Sequence, residues 1–437
     1  MFTFIHSASC HINNIKMFLA SNKLALYVFI FCYFFAFDLT AQYMLSDGIK
    51  GTSKLPGSNS KTMYEPIDLI DVVRIIEHKG ARKFTIESKS EKLHVSVLPA
   101  VGYTLVTGFA GVISSNIAFY NGDSSNQKIS SVFVSLAYTQ HNQIIFPLLM
   151  NIWTKGNKYN FVTDCRYMQY PSTNYDLQGY KLGGINQLQN GYTLDYSYFK
   201  LHQTVYKTVR NNLYAGMGYY LDYFWNIKEL DLPAGFQSGF QKYGLDKTEV
   251  SSGVALKLLY DSRLNQINPF NGTFVNLEFR PSFTFMGSQS NWRSLTMEYR
   301  RYIKIPNVDH ILAFWSYNWF VVGGVPPYLL LPSTGWDDGF NTGRGYIQGR
   351  FKGRNMVYLE AEYRFRITHN DFLGGVVFAN AETFSSNINT TLGNIYPGWG
   401  GGLRFKLNKF SRANLCIDYA FGLEGSRGFF VNLGEVF

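Results

Sequence analysis

Residues 356–367 read Met356-Val357-Tyr358-Leu359-Glu360-Ala361-Glu362-Tyr363-Arg364-Phe365-Arg366-Ile367. Val357, Leu359, Ala361, Tyr363, Phe365 and Ile367 occupy one parity; Glu360, Glu362, Arg364 and Arg366 occupy the other. A helix would bring residues three and four apart together and mix these two sets. A strand separates them, because successive side chains point to opposite faces. Thr273–Arg280 repeats the pattern, with Thr273, Val275, Leu277 and Phe279 against Phe274, Asn276, Glu278 and Arg280. So does 413–421, with Leu415, Ile417, Tyr419 and Phe421 against Asn414, Asp418 and Ala420.

Alternation alone does not separate a soluble sandwich from a membrane barrel, in which the apolar face meets lipid and the polar face a wet lumen. Composition does. Aromatic residues make up 17% and charged residues 16% of the 437, which argues against disorder. The sequence holds no series of long apolar runs, which excludes a polytopic helical membrane protein. Net charge is +10, with no cluster of Lys and Arg, so nucleic acid is not an expected partner. Leu24–Phe37 is apolar throughout, follows Lys16 and Lys23, and precedes Leu39-Thr40-Ala41-Gln42. That reads as a secretory signal peptide with cleavage near Ala41/Gln42; Met17 is an alternative start.

The chain divides into a leader at 1–41, a polar periplasmic extension at 42–92 and a barrel at 93–437. Within the extension, apolar residues at 69, 72, 73 and 76 have helical spacing and predict a short amphipathic helix. The rest of the extension promises little burial, so barrel folding is not expected to need it. The fold class expected is all-β, a 16-stranded antiparallel transmembrane β-barrel. Its strands fall near 93–104, 109–120, 129–139, 142–153, 159–167, 192–208, 213–226, 249–262, 272–284, 291–302, 308–321, 355–367, 372–384, 397–407, 413–421 and 428–437. With both ends of the barrel in the periplasm, the long connections 168–191, 227–248, 322–354 and 385–396 all lie outside and the short turns inside, the asymmetry that such barrels have. The final strand would run to Phe437, an aromatic closing the lipid face after Phe429, Val431 and Leu433, with Glu435 interrupting that face near the interface.

The connection 322–354 contains Thr342-Gly343-Arg344-Gly345-Tyr346-Ile347-Gln348-Gly349-Arg350-Phe351. The turn between strands 8 and 9 contains Asp261-Ser262-Arg263, then Pro269-Phe270-Asn271-Gly272. Leu98-Pro99, Gly102-Tyr103 and Thr107-Gly108 add a weaker match at the first hairpin. Together these resemble the bacterial surface antigen barrel family, that of the BamA and TamA outer-membrane assembly barrels. The resemblance implies a sixth outer loop whose Arg344-Gly345-Tyr346 tip folds into the lumen and meets acidic residues on the wall. Glu362 matches the first such acid. The second, an Asp in the family, falls at Asn380, so Glu382, on the same face, is expected to supply its charge, with Asn380 accepting a hydrogen bond and Asp418 as a further inward carboxylate. Asp261, Arg263, Pro269 and Gly272 would form the periplasmic-turn motif. Residues 42–92 have no room for the periplasmic domains that family members carry, which points to a barrel-only branch.

The function implied is insertion or translocation of polypeptides at the outer membrane of a Gram-negative bacterium. The route would be a seam between the first and last strands, marked by Pro99 and Phe437. Pro99 has no N–H to complete a ladder, or it marks a bulge without function. Partners implied are outer-membrane lipid, substrate polypeptides and periplasmic proteins. The alternative is a passive pore or structural barrel. An enzyme is not expected: His141 and His202 have no nearby Ser with a third partner, His310 reads as structural, and no nucleophile elbow, HExxH or phosphate loop is present. No cofactor or metal is implied; Asp337-Asp338 reads as a solvated loop tip. Cys165 and Cys416 are expected to be separate thiols.

Overall fold

A computed structural model describes residues 66–81, 94–122, 127–177, 191–232, 234–244, 247–263, 265–306, 308–385, 392–409 and 412–437. The signal peptide and the rest of the leader, and most of the extension, lie outside the described residues. Sixteen antiparallel strands follow: β1 His94–Thr104, β2 Gly108–Phe119, β3 Ser130–Thr139, β4 Ile144–Trp153, β5 Tyr159–Gln169, β6 Tyr192–Arg210, β7 Leu213–Leu230 and β8 Glu249–Asp261. The second half comprises β9 Gly272–Ser282, β10 Trp292–Lys304, β11 Ile311–Gly324, β12 Asn355–Arg366, β13 Leu373–Ser385, β14 Leu392–Lys406, β15 Asn414–Phe421 and β16 Arg427–Leu433. A short extension of β5, Ser172–Asn174, pairs with β6 as β5 does.

Each strand pairs with the next. β1 and β16 lie side by side, but no ladder joins them among the described residues. The barrel is therefore nearly closed, with one seam. Leu105, just after β1, occupies the space that a Cβ at Gly428 of β16 would need. Pro99 sits opposite Ile113 in an unbroken β1–β2 register, which excludes the bulge.

The faces are inverted relative to a soluble sheet. Leu359, Val377, Trp399, Leu403 and Phe429 are exposed, while Glu360, Glu362, Arg364, Asn380, Arg404 and Asp418 are buried. Lipid meets the first set; the lumen holds the second. Four strand boundaries differ instructively from those read in the sequence. β14 begins at Leu392, five residues early, because Gly393, Pro397 and Gly398 mask the alternation and its ladder with β13 shifts register between Thr383 and Ser385. β6 and β7 run 19 and 18 residues, beyond the roughly 9–11 that a tilted spanning strand needs. β16 ends at Leu433 rather than Phe437, because Gly434 takes φ +89° and turns the chain out of the sheet.

The helix α1, Leu69–Ile76, packs in an unexpected way. Asp68 and Asp71 form a reciprocal capping box and are wholly buried. Lys409, in the β14–β15 turn, bonds Asp71 through Nζ at 2.8 Å and Asp68 through its backbone N–H at 3.0 Å. Leu69, Ile70, Val73 and Ile76 face outward. The helix thus docks by its acidic cap, and its apolar stripe is not the face turned to the barrel.

Candidate functional site

The connection between β11 and β12, residues 325–354, is folded into the lumen. Its first part packs Tyr328, Leu329, Leu330 and Leu331 against Tyr192, Leu194 and Tyr196. The backbone N–H groups of Tyr328 and Leu329 donate to the two oxygens of Glu249, each at 3.0 Å. Its second part packs Tyr346 and Phe351 against Met356, Tyr358 and Phe384. Between these anchors, Asp337 is buried rather than solvated. Its carboxylate accepts from the backbone N–H groups of Gly339, Asn341 and Thr342 at 3.0, 2.9 and 2.7 Å, which shapes the tight turn before Arg344. Asp338 pairs with Lys200 at 3.3 Å, and its carbonyl accepts from Arg166 at 2.9 Å. Among the described residues no group of His, Cys, Asp and Glu is arranged to hold a metal.

Arg344 is 2% exposed. Its guanidinium donates to Glu360 and Glu362 of β12 and, at 2.6 Å, to Asp418 of β15, and lies 3.6 Å over the Phe378 ring. The planar fork lets one cation serve three carboxylates. Gly343 and Gly345 both have positive φ, and a Cβ at Gly345 would lie 2.5 Å from the Phe421 carbonyl oxygen. Gly398 leaves room for the Arg344 carbonyl in the same way. Tyr346 donates to the Pro397 carbonyl at 2.7 Å and accepts from the Leu423 N–H at 2.9 Å.

Two expected contacts are corrected. Glu382 does not reach Arg344; it accepts from Thr334 at 2.9 Å. In the ladder Glu382 lies opposite Tyr358, whereas Glu360 lies opposite Asn380, so Glu382 is one pair further toward the outside than the guanidinium. Asn380 donates to the Arg344 carbonyl at 2.9 Å rather than accepting from its side chain. The carboxylate that sequence reading left out is Glu360, which stands two residues before Glu362 on the same face.

Phe437 is also corrected: it is neither in a strand nor on the lipid face. Segment 434–437 enters the lumen, where the Phe437 ring stacks on Trp315 at 5.1 Å and its backbone oxygen accepts from Arg364 at 3.0 Å. Glu435, likewise buried, pairs with Arg404 at 2.9 Å and Arg364 at 3.8 Å. Burial raises its carboxyl pKa, but Arg404 and then Arg364 outweigh that and hold it at about 2. Arg364 also bonds Glu362 at 2.6 Å, and Arg404 bonds Asp418 at 2.5 Å. The result is a closed ring: Arg344, Glu362, Arg364, Glu435, Arg404, Asp418 and back to Arg344. It ties the loop tip to β12, β14, β15 and segment 434–437. Asn341 extends the tie, donating to the Val436 carbonyl at 2.8 Å and accepting from Asn432 of β16 at 3.1 Å.

The β8–β9 turn crosses to the same place. Arg263 grips Asp261 through Nε and NH2 at 2.9 and 3.0 Å, Pro269 is buried, and Gly272 has φ +115° with the Ser262 carbonyl where a Cβ would go. The fold so fixed brings the Ile267 carbonyl to the Glu435 N–H at 3.4 Å and Asn268 to the Arg412 carbonyl at 3.2 Å. Elsewhere, His202 pairs with Asp222 at 2.9 Å, His310 with the Tyr363 hydroxyl at 2.5 Å, and Cys165 and Cys416 are free thiols.

Residues 149–437 match the family model described as the Omp85 superfamily domain. The chain belongs to the Omp85 superfamily. Solved structures with a similar fold include BamA from Haemophilus ducreyi lacking POTRA domains 1–3, with a TM-score of 0.50, 14% identity and coverage of 78% of this chain and 69% of that one. CdiB from Acinetobacter baumannii has a TM-score of 0.50, 13% identity and coverage of 79% and 60%. CdiB from Escherichia coli has 0.53, 10%, 80% and 63%. No curated protein matches the sequence. This Omp85 member is an outer-membrane β-barrel whose loop tip, segment 434–437 and β8–β9 turn meet beside β16.

Proposed function

We propose that this Omp85 barrel assists insertion or translocation of polypeptides at the outer membrane of a Gram-negative bacterium, with lipid, substrate chains and periplasmic proteins as partners. The observation that carries the reading is the seam. Among the described residues fifteen strand pairs have ladders, while β1 and β16 meet without one. An unpaired strand edge is a template for another chain, and Pro99 subtracts one donor from the β1 edge or its ladder. The likeness of the fold to BamA and CdiB agrees with this use. Loop 325–354, latched through Arg344, Glu362 and Asp418, is the element that would respond, since Asn341 links it to β16. The loop-filled lumen weighs against a passive open pore.

Depleting the protein in cells and quantifying the other outer-membrane proteins tests the proposal. A general or class-specific loss is expected. An unchanged outer-membrane proteome with altered solute permeability would favour the pore.

A further inference from the structure

The periplasmic mouth of the lumen holds a second feature, which shares Arg364, Arg404 and Glu435 with the latch ring and extends beyond it. A cavity of about 380 Å³ lies among the β8–β9, β10–β11, β12–β13 and β14–β15 turns and segment 434–437. Seven of its lining residues are Lys or Arg and three are Asp or Glu. Some of these cations are spent. Lys304 pairs with Asp309 at 3.0 Å, Arg366 with Asp309 and Asp371 at 2.9 and 3.3 Å, and Arg404 with Glu435 at 2.9 Å. Others are not. Among the described residues no carboxylate lies within ion-pair distance of Lys406 or Arg412. Arg412 rests its guanidinium on the Phe270 ring at 4.6 Å. Arg364, 5% exposed, has an NH1 without a hydrogen-bond partner, and the Asn414 Oδ1 is likewise unpartnered. The Arg364 NH1 is thus a buried donor beside two unpaired cations, and an anionic acceptor entering the cavity would meet all three.

We propose that this mouth binds acidic segments of polypeptides entering from the periplasm. Charge complementarity selects an anion, and the direction the site faces selects its source. Arg364 already holds the backbone oxygen of Phe437 at 3.0 Å, so the site accommodates main-chain as well as carboxylate acceptors. Lys406, Arg364 and Arg366 share the strand parity of the lumen-facing residues Arg404 and Glu362, so the site faces a chain threading the lumen rather than lipid headgroups around the barrel. Arg412 stands at the outer lip, in the β14–β15 turn. The inference deepens the polypeptide-handling reading and rests on it for the identity of the natural ligand; the binding itself is independent of insertion activity.

The test uses the purified full-length barrel in detergent and a short Asp/Glu-rich peptide carrying an uncharged fluorophore, followed by fluorescence anisotropy. Its Asn/Gln counterpart is expected to bind roughly tenfold or more weakly, as is the acidic peptide at high salt. The double variant Lys406→Gln/Arg412→Gln should weaken acidic-peptide binding roughly tenfold while keeping heat-modifiable mobility. The control Lys155→Gln/Lys158→Gln, in the β4–β5 turn, should leave it unchanged. Equal affinity for acidic and neutral peptides, or no loss in the double variant, would overturn the proposal. So would full displacement of the peptide by low millimolar inorganic phosphate, which would mark a site for a small oxyanion. If binding fails while depletion still empties the outer membrane of other proteins, only this inference falls and the assembly reading stands.

Discussion

Arg344→Ala is expected to release loop 325–354 while leaving the barrel wall assembled. The wall is held by strand ladders that Arg344 does not join, whereas the loop tip is held by three charge-assisted contacts that converge on this one side chain. Removing it leaves Glu360, Glu362, Asp418 and Glu435 facing only Arg364 and Arg404. Breaking a buried ion pair costs about 3–5 kcal/mol, and lumen water places the loss near the lower end. About 3 kcal/mol is roughly a hundredfold rise in the released population. Limited proteolysis of the outer surface should therefore cut within 325–354 far faster in the variant, with unchanged strand content by circular dichroism. Arg344→Lys should recover only part, since one ammonium does not reproduce a fork spread over three carboxylates. Adding Glu360→Gln to Arg344→Ala should also recover part, because it removes a surplus buried charge. Unchanged cleavage in Arg344→Ala would refute the latch.

Phe437→Ala should destabilise the folded barrel more than any substitution on the lipid face near it. The ring is 3% exposed, stacks on Trp315 and lies 6.2 Å from Tyr302, with the Arg364 guanidinium 5.2 Å from its centroid. Truncating a buried aromatic to Ala costs about 3–5 kcal/mol through lost contacts and the cavity left behind. Phe429, in β16, is 51% exposed and faces lipid, so Phe429→Ala should cost far less. The readout is the temperature at which the heat-modifiable band is lost in detergent. The ranking matters because a Phe437 closing the lipid face would give the two variants similar effects.

The barrel was legible because lipid and a wet lumen impose a period-two pattern on almost every strand, and because the long and short connections alternate. Where glycine and proline interrupt that pattern and the ladder shifts register, as at Gly393, Pro397 and Gly398, alternation does not mark where the strand starts. The loop tip was legible from Gly343-Arg344-Gly345, but its partners were not fully so. Parity identifies a face, not a height along the barrel axis, and Glu360 and Glu382 share a face at different heights. The inward path of 434–437 left one signal, Glu435 in an otherwise apolar alternation. Read as an interfacial charge, it is in fact the member of the ring that bonds both Arg364 and Arg404. The ring itself joins residues from three strands, a loop and segment 434–437, and no spacing within the sequence encodes such a closure.

The central claim is that the β1–β16 seam is the working part of the molecule. Leu105 over Gly428 fixes the approximate register, which brings the outward-facing Val101 near Val431 and Leu433. Cysteines at Val101 and at Val431 or Leu433, oxidised in cells lacking the native Cys165 and Cys416 thiols, lock the seam without touching the lumen. The measurement is the folding or export of client outer-membrane proteins before and after locking, with recovery on reduction. Loss on crosslinking and return on reduction, with the barrel folded throughout, is the result predicted. Full client assembly through a quantitatively locked seam would contradict it.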